Sequence, residues 1–310
     1  MSYVANGTYG CVLKPAVPCM ERKGRDQGLK GRDAVSKVFG EKAEADQEER
    51  TMQRILKKID PRGLFTIRSF GTCPVSRDAF AAAEISRCDN LRADQSQLHQ
   101  IVYENGGMPI SKVPWPEFCT RLDPLFAGIE TLQSFRLVHQ DIKPENVVFN
   151  TRTGKIALID FGLCKPMRHV FGKTNAMMAF YLYMPPEMAA NTIRHGWVRA
   201  SQEAQKRVPM DNLKDLLKYA ANPPQKLNHG LAKRLRSLEY KDDGDLDPFL
   251  IDSYMLGATI LEASAGYVDM RGAVGKGLAK LICGMLHPDM RRRWTIQKAR
   301  AFYSGLVGGA

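Results

Sequence analysis

No stretch of this chain comes near the roughly 18 consecutive apolar residues that a membrane-spanning helix needs, and no internal repeat or long low-complexity tract interrupts its 310 residues. A membrane partner is therefore not expected. The opening MSYVANGTYG has neither a basic n-region nor an apolar h-region, which argues against a secretory leader. Cysteines are few and scattered: Cys11, Cys19, Cys73, Cys88, Cys119, Cys164 and Cys283. They are odd in number and form no CxxC pair, so neither a disulfide framework nor a zinc site is expected. Most should behave as small apolar side chains. These absences predict a soluble intracellular protein.

What is present is ordinary in bulk. Hydrophobic residues make up 44% and charged residues 25%, as in a globular protein large enough for one big domain or two modest lobes. The net charge of +12 favours acidic partners such as nucleotide phosphates or acidic proteins, and it leaves nucleic acid open. Charge alone does not choose among them.

Along the chain, residues 5–12 read as a glycine-punctuated turn and Ala34–Phe39 as a strand. Met52, Ile55, Leu56 and Ile59 recur three or four apart, giving a helix over 43–59. Leu98–Glu104 reads as a second strand, ended by the turn Asn105-Gly106-Gly107. Leu122, Leu125, Phe126, Ile129 and Leu132 mark a long amphipathic helix. Two short strands follow, Asn146–Phe149 and Ile156–Ile159, with the turn Thr151–Gly154 between them, and helix resumes from about Ile251. The polar, basic stretch 188–248 reads as an insertion. A β-rich front and a helical back predict an α+β architecture of two lobes, 1–104 and 105–310, with a cleft between them.

The strongest chemical signal is His139-Gln140-Asp141-Ile142-Lys143-Pro144-Glu145-Asn146, followed by Asp160-Phe161-Gly162. Phosphoryl transfer from ATP needs magnesium held by carboxylate and amide oxygens, neutralised phosphate charge, and a carboxylate that orients the attacking hydroxyl. Asp141, Asn146 and Asp160 supply those oxygens, and Lys143 supplies a cation. The pattern resembles the catalytic loop and DFG motif of eukaryotic-type protein kinases. The resemblance implies the bilobal kinase fold, with ATP and Mg2+ as cofactors. It makes Asp141 the catalytic base, Lys143 the γ-phosphate contact, and Asn146 and Asp160 the metal ligands.

The front of the chain extends the resemblance. Ala5-Asn6-Gly7-Thr8-Tyr9-Gly10-Cys11-Val12 is similar to a kinase glycine-rich loop, with Ala5 in place of its first glycine. Lys37 stands where the family's strand lysine meets the α- and β-phosphates. Its acidic helix partner is taken as Glu48, because Met52 lies one turn later on the same apolar face; Glu44 and Glu49 are the alternatives. Tyr103-Glu104-Asn105-Gly106 resembles the hinge. By that resemblance the backbones of Glu104 and Gly106 bond the adenine edge, Tyr103 is the gatekeeper, and Val12 and Val35 cover the adenine faces. Pro185-Pro186-Glu187 looks like a variant APE motif, Arg293 like the arginine that pairs with its glutamate, and Asp252 like the aspartate that anchors the catalytic loop. The resemblance spans nearly the whole chain, with extra sequence at about 14–33 and at 188–248.

Three departures matter. Gln140 replaces the arginine that commonly binds an activation-loop phosphate, so activity is expected not to need that phosphate. Lys143-Pro144-Glu145-Asn146 favours serine/threonine substrates, yet Phe180 stands where such kinases usually carry threonine. Between residues 188 and 241, eleven basic side chains face four acidic ones, which suits a solvated helical face or a docking surface for an acidic partner. The compact front, Gln140, the PPE variant and the insertion resemble kinases encoded by large DNA viruses, which would imply action in the host cytoplasm or packaging in the particle. The alternative is a pseudokinase that binds nucleotide and acts as a scaffold or docking protein. Lys37, Asp141 and Asp160, usually lost in part by such proteins, are all present. Protein substrates are the implied partners; no signal for an oligomeric state is visible.

Overall fold

A computed structural model describes residues 2–6, 10–20, 33–80, 85–88, 91, 97–171, 183–185, 187–188, 246–265, 267, 273–287 and 289–308. Gly7, Thr8, Tyr9, Thr174, Phe180, Pro186 and residues 189–245 of the expected insertion lie outside them. The chain divides into two compact units, Met1–Gly107 and Met108–Ala310.

The first unit is built on an antiparallel five-stranded sheet of order β1-β2-β3-β5-β4. Its strands are β1 (Ser2–Asn6), β2 (Cys11–Lys14), β3 (Ala34–Phe39), β4 (Ser69–Ser76) and β5 (Gln97–Glu104). Residues paired across neighbouring strands share a face, and alternate residues along a strand change face. Lys37 pairs with Val12 on one side and Ile101 on the other, and Val35 pairs with Tyr103. That register puts Val12, Val35, Lys37, Ile101 and Tyr103 on one face. Helix α1 (Lys42–Lys58) buries Ala45, Met52 and Ile55, a single stripe that also contains position 48. Glu44 in its first turn and Lys57 and Lys58 in its last turn complement the helix dipole.

The opposite face carries the unit's apolar core, with Cys11, Leu13, Val38, Val75, Phe80, Ile85, Cys88 and Leu98 all buried. Two disulfides run through it, Cys11–Cys88 and Cys19–Cys73, with Cα–Cα separations of 5.5 and 5.7 Å. This corrects the expectation of unpaired thiols. The partners stand 77 and 54 positions apart, so only the folded sheet brings them together and their spacing carries no motif. A buried polar knot lies beside them. Ser36 Oγ donates to Gln100 Oε1, while Gln100 Nε2 donates to the Val17 carbonyl at 2.8 Å and to Cys73 Sγ at 3.3 Å. These bonds pin the segment after β2 onto β3 and β5, satisfying polar groups that would be costly to bury alone.

The second unit is mainly helical: α2 (Trp115–Phe118), α3 (Asp123–Ser134), α4 (Phe249–Ser264), α5 (Ala273–Met285) and α6 (Ile296–Gly308). Helix α4 is buried almost all round, from Leu250 to Leu261, as expected of a central helix. It meets α5 so closely at Gly257 that a Cβ there would stand 2.7 Å from Met285 Cβ. Arg300 on α6 bonds Asp123 and Glu130 on α3 at 2.6–2.9 Å. Two small sheets complete the unit. One has the order β6 (Met108–Pro109), β8 (Val147–Asn150), β9 (Lys155–Leu158), and the other pairs β7 (Leu137–Val138) with β10 (Lys165–Pro166). The loop 139–146 joins β7 to β8, and residues 159–164 follow β9, so both motif-bearing loops leave the same pair of small sheets.

Candidate active site

Each unit carries one cluster of the sequence-predicted residues. In the first, Lys37 Nζ lies 2.5 Å from Glu48 Oε2. The rival acids sit elsewhere: Glu49 accepts from Gln53 Nε2 at 2.8 Å and from Ser69 Oγ at 2.5 Å, and Glu44 is exposed. Tyr103 Oη donates to Glu48 Oε1 at 2.9 Å, a contact no spacing rule suggested. Lys37 also stands 5.4 Å over the Phe39 ring. Gly10 is needed for packing, since a Cβ there would meet the Val38 carbonyl oxygen at 2.8 Å. Ala5 and Asn6 end β1. Cys11 turns to the opposite face and into its disulfide. The Glu104 N–H donates to the Arg68 carbonyl at 2.8 Å, and Gly106 lies just past the end of β5.

In the second unit, Asp141 gathers its neighbours. Lys143 Nζ lies 3.0 and 2.8 Å from the two carboxylate oxygens, and Asn146 Nδ2 donates to Asp141 Oδ2 at 2.7 Å and to its backbone carbonyl at 2.9 Å. The Ile159 N–H donates to the Asn146 carbonyl at 2.9 Å, which ties the residue preceding Asp160 to this group. Asp160 has φ 60° and accepts the Gly162 N–H at 3.3 Å. Gln140 has φ 67°. Left-handed backbone is uncommon for such residues, and the surrounding bonds must hold it.

The loop is anchored from beneath. Asp252, fully buried on α4, accepts the backbone N–H groups of His139 at 2.8 Å and Gln140 at 2.9 Å. Burial pushes its carboxyl pKa up; the nearby His139 and these two N–H groups pull it back down. Glu187 and Arg293, both buried, form a two-pronged pair, with Arg293 Nη2 to Glu187 Oε2 at 3.0 Å. Arg293 also donates to the Leu250 carbonyl at 3.2 Å and the His287 carbonyl at 2.9 Å, and its guanidinium stacks 4.9 Å from the Tyr254 ring.

A divalent cation can be tested against these donors. Asn146 Nδ2 donates twice to Asp141, which leaves its amide oxygen as the atom available to a cation, and Asp160, next in the chain to the Ile159 that bonds Asn146, offers carboxylate oxygen. Among the described residues no group of three or more His, Cys, Asp and Glu side chains is poised to cage a metal. One carboxylate and one amide oxygen suit magnesium, which keeps waters and binds substrate phosphates, better than zinc or calcium.

Residues 30–197, more than half of the chain, match the protein kinase domain family. The chain belongs to the protein kinase family. Its fold class is accordingly the α+β kinase fold, a sheet-based first unit and a helical second one. This kinase is 36% identical over 75 residues to "Serine/threonine-protein kinase gad8" of Schizosaccharomyces pombe, covering 24% of the chain and 12% of that protein. It is 39% identical over 64 residues to "Serine/threonine protein kinase ypkA" of Aspergillus fumigatus, covering 21% and 10%. A longer match, 24% identical over 197 residues, joins it to "Mitogen-activated protein kinase 3" of Arabidopsis thaliana, covering 61% of the chain and 46% of that protein. The matched stretches thus span less than half the length of these curated relatives. No described helix of the kinase is long and apolar enough to cross a membrane.

Proposed function

We propose that this kinase is catalytically active and transfers the γ-phosphate of ATP, with magnesium, to serine or threonine hydroxyls of protein substrates. The observation that carries the reading is the bonded group Asp141–Lys143–Asn146, a carboxylate buried beside its own cation and an amide. Asp141 orients the substrate hydroxyl and accepts its proton as the oxygen attacks phosphorus. The bond from phosphorus to the β–γ bridging oxygen breaks, and ADP leaves in line. Lys143 stands ready to follow the charge on the transferred group. Lys37, held by Glu48, takes the α- and β-phosphates, with Gly7–Val12 and the 103–106 segment cradling the rest of the nucleotide. Asn146 and Asp160 would hold magnesium, which would supply neutralisation of the phosphate charge. The serine/threonine preference is supported by Lys143-Pro144-Glu145-Asn146 and by the names of the relatives.

The test is transfer from labelled ATP to a generic protein substrate, with Asp141→Asn as the control. Loss of a positioned base typically costs about 10²–10⁴ in rate. Label on serine and threonine that vanishes in the variant supports the reading. ATP binding without transfer would instead make the chain a pseudokinase, and label on tyrosine alone would overturn the substrate class.

We also propose that the kinase is of the type encoded by large DNA viruses. Gln140, Pro185 and the 188–248 insertion support this, and two disulfides suit an assembled particle better than reducing cytosol. Its absence from purified particles would remove the packaging reading.

A further inference from the structure

Glu48 answers to two donors at once. Its Oε2 is bonded to Lys37 on β3 and its Oε1 to the phenol of Tyr103 on β5, at 2.5 and 2.9 Å. β3 and β5 are directly paired, with Val35 opposite Tyr103 and Lys37 opposite Ile101, so the two donors reach the helix from one rigid platform. A glutamate held by a lysine alone has three side-chain torsions and a flexible partner. A phenol adds a stiff, two-torsion strut, and Tyr103 is only 5% exposed, so this charge-assisted bond has little competition from water. Phenylalanine would fill the same space as Tyr103 and leave Glu48 with its lysine only.

From this geometry we infer that Tyr103 is a positioning residue for the nucleotide phosphates: its hydroxyl fixes Glu48, and through Glu48 it sets where the Lys37 ammonium stands. The inference rests on the chain being an active kinase, and it assigns the hydroxyl a role separate from any contact of the ring with the base. It acts on the phosphate end of ATP, because Lys37 serves the phosphates and the phenol O–H is donated to the carboxylate that holds Lys37.

The experiment compares kcat/KM for Mg·ATP and Kd for adenosine in the wild type, Tyr103→Phe, Glu48→Ala and the double variant. Tyr103→Phe should lower kcat/KM by about tenfold, the scale of one hydrogen bond to a charged group, and leave adenosine binding within about twofold. In the Glu48→Ala background the same substitution should cost nothing further, because the two act through one interaction. Unchanged kcat/KM in Tyr103→Phe overturns the inference. So does a parallel loss of adenosine affinity, or a full additional loss on top of Glu48→Ala, since base contact or general loosening would read that way. A wild type that binds adenosine but shows no turnover overturns the activity reading itself, and the inference with it.

Discussion

The side-chain amide of Gln140 donates to the Leu163 carbonyl at 2.8 Å, while the Gln140 backbone N–H is held by Asp252. One residue thus joins the loop that carries Asp141 to the segment that follows Asp160. Where the family places arginine, order in this region commonly waits for a phosphate to pair with the guanidinium. Glutamine has no charge to answer a phosphate, and its neutral bond is already made. Thr174→Ala should therefore keep its initial rate within about twofold of wild type. Gln140→Ala should lower kcat by roughly threefold to tenfold, the worth of a modest hydrogen bond. A Thr174→Ala enzyme at background would show that phosphorylation still governs the loop.

Glu187 and Arg293 make a different kind of demand. Their side chains are completely shielded from solvent, and Arg293 gives two further donors to the carbonyls of Leu250 and His287. Removing one partner strands the other charge in the interior, which typically costs about 3–5 kcal/mol. Arg293→Ala should lower the thermal midpoint sharply. Arg293→Lys should rescue little, because an ammonium cannot serve a carboxylate and two carbonyls in one plane. Thermal melts of the two variants decide it; a lysine variant near wild type would reduce the pair to simple charge neutralisation.

These sites were not equally legible in the sequence. Asp141, Asn146 and Asp160 announce themselves because the kinase motifs fix both residue type and spacing along two short loops, and Lys37 because it follows a glycine-punctuated segment onto a strand. The strand Ala34–Phe39 came out at its observed limits, and 147–150 and 155–158 within one residue, since turn residues frame them. Strand β4 carries Gly71 and Pro74, which read as breakers, so it stayed hidden; its edge position in the sheet is what tolerates the proline. The segment read as one turn over 5–12 holds the end of β1 and the first half of β2, with Gly7–Tyr9 outside the described residues. The Cys11–Cys88 and Cys19–Cys73 pairs, the bond from Tyr103 to Glu48 and the crowding at Gly10 all depend on segments distant in sequence lying side by side, which periodicity cannot encode.

The disulfides carry a chemical prediction. Under denaturing, non-reducing conditions, alkylation followed by mass mapping should label Cys119, Cys164 and Cys283, the cysteines outside the two disulfides, and spare the other four until a reductant is added. Each bridge closes a long loop, worth on the order of 2–4 kcal/mol. Reduction should therefore lower the first unit's melting temperature before the second's. Labelling of all seven without reductant would mean that the four thiols are neighbours rather than bonded.

Tyr303 ties the stability of the second unit to alkaline pH. Its hydroxyl donates to the Cys119 carbonyl at 2.7 Å and accepts the Leu122 N–H at 3.1 Å, fixing α6 to the start of α3. Burial above all raises its pKa from 10.0 to about 12. A raised value means that the folded chain keeps a proton the unfolded chain gives up. Its contribution is fully present below pH 10 and is lost as pH climbs through the folded value near 12. Chemical denaturation at pH 9, 10 and 11 (about one-unit steps through the window) should show wild-type stability falling more steeply than that of Tyr303→Phe. The variant should start lower at pH 9, by about 1–2 kcal/mol for the two lost bonds, and the gap should narrow as pH rises. Parallel curves would mean that Tyr303 ionises as readily in the folded chain as in the unfolded one, and that its hydroxyl is not sealed between Cys119 and Leu122.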